Sequence, residues 1–235
     1  MGIVLVAAMM VGAVIWGAMM RPSSAPCASI RYMIEDQSER SYVTGQELDQ
    51  LLRTESVHPV GQAVDRGLLH RIEKTVAHHP MVRTAECYVT PRHEVRVRIT
   101  QRVPLLRVVK PGDAYFIDTD RRVMQARASV RDSVLMVTGS LGVQMASGQM
   151  ADYAEWLKDN KYWRVRIHHV AVQSPQMVCL YLKEGQPRVM LGTMHGYEQK
   201  LRKLQTFFEQ SPQEIREKTY SELDVRFKGQ VIGRR

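Results

Sequence analysis

The chain has 235 residues, with 33 Lys or Arg against 24 Asp or Glu for a formal net charge of +9, and three cysteines. That length holds one large or two modest domains with real cores. An odd cysteine count without a CxxC spacing excludes a disulfide framework and a zinc ribbon, and the positive balance suits nucleic acid, an anionic membrane surface or an acidic partner without choosing among them.

The first twenty residues carry no charged side chain, and residues 3–20 read IVLVAAMMVGAVIWGAMM. An eighteen-residue helix is about 27 Å long, close to the roughly 30 Å hydrocarbon core of a bilayer. A single transmembrane helix over residues 1–20 is therefore expected. A cleaved secretory signal fits less well, because no Lys or Arg precedes the run and the run exceeds the usual roughly 7 to 15 apolar residues. Pro26 also follows the small residues Ser23-Ser24-Ala25 and argues against a lipid anchor at Cys27. The nearest basic residues, Arg21 and Arg31, lie after the run, so the positive-inside rule taken alone places the rest of the chain in the cytoplasm. Residues 21–27, polar and proline-bearing, read as a linker.

Residues 30–36 form a short strand candidate. Thr44-Gly45-Gln46-Glu47 has the spacing of a capping box, and Leu48, Leu51 and Leu52 follow at helical spacing. A second helix places Val64, Leu68, Ile72 and Val76 on one stripe, and Pro80 bars its continuation. Residues 82–90 and 94–102 then read as strands. In the second, Val95, Val97 and Ile99 alternate with Arg96, Arg98, Thr100 and Arg102, giving one core face and one wet face. The order strand, helix, helix, strand, strand defines an α+β unit over residues 28–102.

From Pro104 the pattern shifts toward strands and turns. Residues 105–109 and 114–117 flank the hairpin signal Pro111-Gly112-Asp113, and residues 134–138 form another strand candidate. Met150, Tyr153, Ala154 and Leu157 mark a helix, followed by strand candidates at 165–172, 177–182 and 188–191. A last helix aligns Tyr197, Leu201, Leu204 and Phe208, with Glu198 and Arg202 paired at i, i+4. The chain closes with a strand over 223–227, a two-residue Lys228-Gly229 turn and a strand over 230–233. Residues 103–235 thus read as a mainly antiparallel β domain with flanking helices.

Common catalytic signatures are missing: the sequence contains no GxSxG, GxxxxGK[ST], GxGxxG or HExxH. The adjacent pairs His78-His79 and His168-His169 do not converge on one metal, because neighbours in a strand point to opposite faces and neighbours in a helix diverge. Gly139-Ser140-Leu141-Gly142 reads as a loop rather than a nucleophile turn. No catalytic residue, metal site, cofactor or small-molecule substrate is expected. Buried free thiols are the expected state of the cysteines, with a Cys87 to Cys179 bridge as the alternative in an oxidising compartment. From Val64 to Lys110 there are ten Lys or Arg against four Asp or Glu, and Arg96, Arg98 and Arg102 form a candidate electrostatic surface. With no aromatic residue in that strand, a solvated face meeting an acidic partner or lipid heads is expected before a nucleic-acid site.

Three segments point to one family. EVRVRITQRVPLLRV (residues 94–108) runs a strand through an Arg-x-Pro step, YFIDTDRRVM (115–124) carries an Ile-Asp pair before a turn, and LDVRFKGQVIGRR (223–235) has the form of a terminal β-hairpin. In this order, after one apolar span, they resemble the FtsQ/DivIB family of bacterial cell division proteins, whose β-α-α-β-β unit is a POTRA domain. The resemblance implies a non-enzymatic, single-pass inner-membrane scaffold with a periplasmic carboxyl-terminal region, enriched at the division septum. It implies binding of the division proteins FtsB and FtsL and, indirectly, control of the septal peptidoglycan synthases FtsW and FtsI. The partner site it implies is the terminal hairpin: Leu223, Val225, Phe227, Gln230, Val231, Ile232 and Gly233. Family spans follow a basic cytoplasmic tail, so a start upstream of Met1 would reconcile the charge pattern with this topology. Arg121-Arg122-Val123 stands where the family places a glycine-bearing turn.

The alternatives are a POTRA-bearing component of a transport or outer-membrane assembly system, and a membrane-tethered nucleic-acid binder using the arginine stripe. The first normally brings a downstream barrel of many roughly 10-residue alternating strands, which this sequence does not supply. The second requires a cytoplasmic domain. Reporter fusions at the carboxyl terminus are expected to be active only outside the cytoplasm; activity confined to the cytoplasm would contradict the scaffold placement.

Overall fold

A computed structural model describes residues 25–35, 42–125, 134–183, 187–210 and 220–234, in two compact units divided after Gln101. The expected span over residues 1–20 lies outside the described residues. Among the described residues no helix is long and apolar enough to cross a membrane.

The first unit runs β1 (Ser29–Ile34), α1 (Gly45–Thr54), α2 (Arg66–Ala77), β2 (Val82–Val89), β3 (Glu94–Gln101). Its sheet has the order β1-β3-β2, with β1 parallel and β2 antiparallel to β3. Each helix begins where side chains satisfy its free N–H groups. Glu47 N donates to Thr44 Oγ1 at 3.2 Å while Thr44 N donates to Glu47 Oε2 at 2.9 Å, and Leu68 N donates to Asp65 Oδ1 at 2.6 Å. Val95, Val97 and Ile99 are fully buried, as are Leu48, Leu52, Ile72 and Val76 from the helices. Cys27, expected in the linker, is instead buried and bridged to Val60, and Pro26 bridges to Ala63, so the end of that segment belongs to this unit.

The buried Gln101 ends the alternation. Its Oε1 accepts from Tyr42 N at 3.0 Å and Val43 N at 3.2 Å, and its Nε2 donates to Glu35 O at 3.2 Å.

The second unit holds β4 (Pro104–Lys110), β5 (Asp113–Asp118), β6 (Val123–Gln125), β7 (Leu135–Gly139), β8 (Ile167–Ser174), β9 (Met177–Leu182), β10 (Arg188–Gly192), β11 (Glu222–Asp224) and β12 (Ile232–Arg234). They form one sheet in the order β12-β11-β10-β9-β8-β7-β4-β5-β6. The sheet is mainly antiparallel but mixed: β4–β7, β7–β8 and β10–β11 are parallel. Two of these pairs follow from helical crossovers. Between β7 and β8 lie α3 (Val143–Met145), a π turn (Ala146–Met150), α4 (Ala151–Asp159) and α5 (Lys161–Arg164); between β10 and β11 lies α6 (Tyr197–Gln210).

The helices bury Met150, Tyr153, Leu157, Trp163, Leu201, Leu204 and Phe208 in one core with Leu106, Val108, Val137, Val170, Leu180, Val189, Leu191 and Leu223 of the strands and Val225 just after β11. The helix expected from Met150, Tyr153, Ala154 and Leu157 forms as α4, preceded by a break at Gly148, whose φ of −97° and ψ of −109° are not helical. The short α5 was not foreseen; its signal is Asn160, whose Oδ1 accepts from Trp163 N at 3.0 Å.

At the start of this unit Arg102 Nη1 donates to Asp118 Oδ2 at 2.7 Å, and Asp118 Oδ1 accepts from Asp120 N at 2.9 Å and Arg122 N at 2.7 Å. Arg121 adopts φ +66° where a glycine-bearing turn was expected. Its Nη2 reaches Asp152 Oδ1 at 2.9 Å and Glu155 Oε2 at 2.7 Å on α4, contacts that offset a backbone conformation unfavourable for a side chain.

The Arg102 and Asp118 side chains are 11% and 1% exposed, so removing one partner strands a buried charge. Asp118→Ala is expected to lower stability in urea unfolding by about 3–5 kcal/mol, with partial recovery in the Arg102→Met, Asp118→Ala double variant. A loss below about 1 kcal/mol for the single variant would contradict this role.

A candidate partner-binding edge at the carboxyl terminus

β11 is three residues long, and its alternation decides what the end of the chain can do. It lies parallel to β10, with Arg188, Val189 and Met190 opposite Glu222, Leu223 and Asp224, and antiparallel to β12, with Arg234, Gly233 and Ile232 opposite the same three residues. Leu223 and Val225 are fully buried in the core. Glu222 and Asp224, which alternate with them, are also buried, at 4% and 1% exposure. Carboxylates that leave water need cations or donors.

Three arginines supply them. Arg188 Nη2 lies 2.6 Å from Glu222 Oε2, and Arg234 Nη1 lies 3.1 Å from Glu222 Oε1 as an ion pair without hydrogen-bond alignment. Arg226 wraps Asp224: its Nε lies 3.0 Å from Oδ1, its Nη2 lies 2.6 Å from Oδ2, and its backbone N donates to Oδ1 at 3.0 Å. The hydrogen bonds from Arg226 hold the Asp224 carboxyl below its ordinary value of 3.8 against the opposing effect of burial.

Beyond β11 the chain leaves the ladder. Val225 N donates to Met190 O at 3.1 Å, and Lys203 Nζ on α6 donates to Val225 O at 3.1 Å and to Phe227 O. These bonds, with the Arg226–Asp224 clasp, lengthen the connection of the expected hairpin beyond its Lys228-Gly229 turn. Gln230 and Val231 lie in the connection over residues 225–231 rather than in a strand, and β12 begins at Ile232. The arginine side chain passes over Gly192, where a Cβ would meet Arg226 Cγ at 2.9 Å. On β12, a Cβ at Gly233 would meet two ring carbons of Tyr220 at 2.3 Å, so only glycine lets that ring lie against the strand.

β12 is the terminal strand of the sheet, with β11 as its one neighbour among the described residues. Its open side offers backbone donors and acceptors to an added strand. Of the residues expected to bind a partner, Phe227 (45% exposed), Ile232 (39%), Gln230 and Gly233 lie on the surface. Val231 packs partly buried against the core, while Leu223 and Val225 are in it and serve to seat β11. The sequence reading missed Arg188, Lys203, Tyr220, Glu222 and Arg234. Acidic residues alternating with apolar ones at Glu222 and Asp224 carry the signal that cations must converge there.

The arginine stripe is not one surface. Arg96 and Arg98 lie on the open face of the first unit's sheet, in register with Arg31 and Met33 on one side and with Tyr88 and Glu86 on the other. Glu94 takes both Arg31 Nε at 3.2 Å and Arg96 Nε at 2.9 Å, and Arg98 Nη1 lies 4.0 Å from Glu86, which largely neutralises the face. Arg102, expected to extend the stripe, is instead buried in its pair with Asp118.

His168 and His169 do meet, with Nδ1 atoms 2.9 Å apart, because a bulge between Ile167 and His169 breaks strand alternation. His169 stacks on Tyr181, and no group of three metal-binding side chains forms among the described residues. Cys27, Cys87 and Cys179 are all free thiols, and burial pushes Cys87 up to about 12.

A β-α-α-β-β unit followed by a mixed sheet that ends in an open edge defines a POTRA-bearing protein with an appended β domain. A model of POTRA-like domains matches residues 25–100, and a model described as FtsQ/DivIB, C-terminal related matches residues 103–234. The chain belongs to the FtsQ/DivIB family of bacterial cell division proteins. A search of curated proteins found no match.

Because the Asp224 value is depressed in the folded state, its stabilisation is complete above pH 3.8 and is lost as pH falls through the lower folded-state value. In urea unfolding, the stability gap between the native chain and Asp224→Asn is expected to be widest above pH 3.8 and to shrink below it. A gap independent of pH would contradict the Arg226 clasp.

Proposed function

We propose that this protein is a non-enzymatic, single-pass inner-membrane scaffold of the bacterial division machinery, with the described units in the periplasm. Its carboxyl-terminal edge captures the FtsB and FtsL pair, through which it acts on the septal peptidoglycan synthases FtsW and FtsI. Family membership supports the division role. The apolar run over residues 3–20 supports the anchor.

The observation that carries the partner site is β12. It ends the sheet with one open side and presents Ile232, while Phe227 lies in the connection before it, two large apolar side chains that water meets at 39% and 45% exposure. An extended partner segment adds a strand there, with main-chain hydrogen bonds providing affinity and the side chains selecting the partner. The neutralised face around Arg96 and Arg98 gives no comparable support to nucleic-acid binding.

Proline removes a donor and fixes φ, which an edge strand accepting a partner cannot tolerate. Val231→Pro and Ile232→Glu, made in the full chain, are expected to abolish capture of co-expressed FtsB and FtsL while the units stay folded by circular dichroism. Unchanged capture by both variants would contradict the site.

A further inference from the structure

We infer that Lys203 is a positioning residue for the terminal edge, holding residues 225–227 so that Phe227 and β12 meet a partner already in place. The inference rests on the reading of β12 as the partner-binding strand. Lys203 sits on α6, whose fourteen residues are fixed to the core through Leu201, Leu204 and Phe208. Its ammonium therefore projects from a rigid support. It donates to Val225 O at 3.1 Å and to Phe227 O, the two carbonyls flanking Arg226.

Lys200, one turn earlier, does the same for the end of β10, donating to Leu191 O at 3.1 Å and Thr193 O at 2.8 Å. The pair of lysines thus ties α6 to the chain segments that leave both parallel strands, β10 and β11. Around Lys203 the connection is also held by Val225 N on Met190 O and, at Arg226, by the clasp on Asp224 and the passage over Gly192. Lys203 is the contact that fixes the backbone on both sides of that arginine. Burial lowers the affinity of its ammonium for the proton, and the charge of Asp224 opposes that shift.

Two charge-assisted hydrogen bonds to carbonyls are strong enough to order a short connection. A connection ordered before binding spares the complex the entropy of ordering it afterwards. Without Lys203, residues 225–229 sample other paths and β12 loses its fixed lead-in, although Leu223 and Val225 still anchor β11 in the core.

The test is titration calorimetry of the full chain in detergent against the co-purified extracytoplasmic regions of FtsB and FtsL. Native protein, Lys203→Met, Lys203→Arg and Val231→Pro are compared, and all are checked for thermal unfolding above the assay temperature. Lys203→Met is expected to weaken binding about tenfold, with the loss in the entropic part, and Lys203→Arg to restore most of it. If the methionine variant does not fold, Lys203→Gln replaces it. Native affinity in Lys203→Met, with binding abolished in Val231→Pro, would overturn the role of Lys203 and leave the edge intact. Native affinity in Val231→Pro would overturn both.

Discussion

Two buried carboxylates on a three-residue strand constrain the whole carboxyl-terminal region. Leu223 and Val225 draw β11 into the core, and strand alternation then carries Glu222 and Asp224 out of water on the opposite face. Neither carboxylate is tolerable there without cations, and Arg188, Arg226 and Arg234 arrive from β10, the connection and β12. The ion pairs thus fix the register of the last three strands together. They also divert the chain after Val225, because Arg226 spends its backbone N–H on Asp224 rather than on a ladder bond.

Much of this was open to sequence reasoning, and the parts that were not share a cause. The Thr44–Glu47 capping box, the α2 stripe and the Val95, Val97, Ile99 alternation depend on residues a few positions apart, and local periodicity reports them well. The Pro111-Gly112-Asp113 turn is equally local, with Gly112 at φ +77°. Arg102 was misplaced on a surface because its partner, Asp118, lies across a hairpin. The Lys228-Gly229 turn is present, with Gly229 at φ +76°, but the terminal connection is longer than expected because Lys203 and Asp224 hold residues 225–227 out of the ladder. Parallel pairing was missed because a buried strand reads alike in either direction; only the helices between β7 and β8 and between β10 and β11 hinted at crossovers.

The residues of the candidate site at the carboxyl terminus divide by role in a way the sequence does not display. Phe227 and Ile232 face outward, while Leu223 and Val225 hold the platform. Gly233 serves a third purpose, making room for the Tyr220 ring, which is itself 6.4 Å from Phe207 on α6. The arrangement is a strand edge supported from behind by α6 and the core. The POTRA-like unit is built differently, with its open sheet face balanced by Glu86 and Glu94. Family membership supplies the biological setting in cell division, and the open strand is the feature on which the proposed contact rests.

The central claim is that a partner adds a strand to β12. Hydrogen–deuterium exchange of the full chain, with and without the extracytoplasmic regions of FtsB and FtsL, tests it most directly. The expected result is strong new protection of the Gly233 amide, which alternation turns to the open side of β12, with β6 at the opposite edge of the same sheet unchanged. Binding that leaves β12 exchange unaltered, or that protects β6 instead, would contradict it.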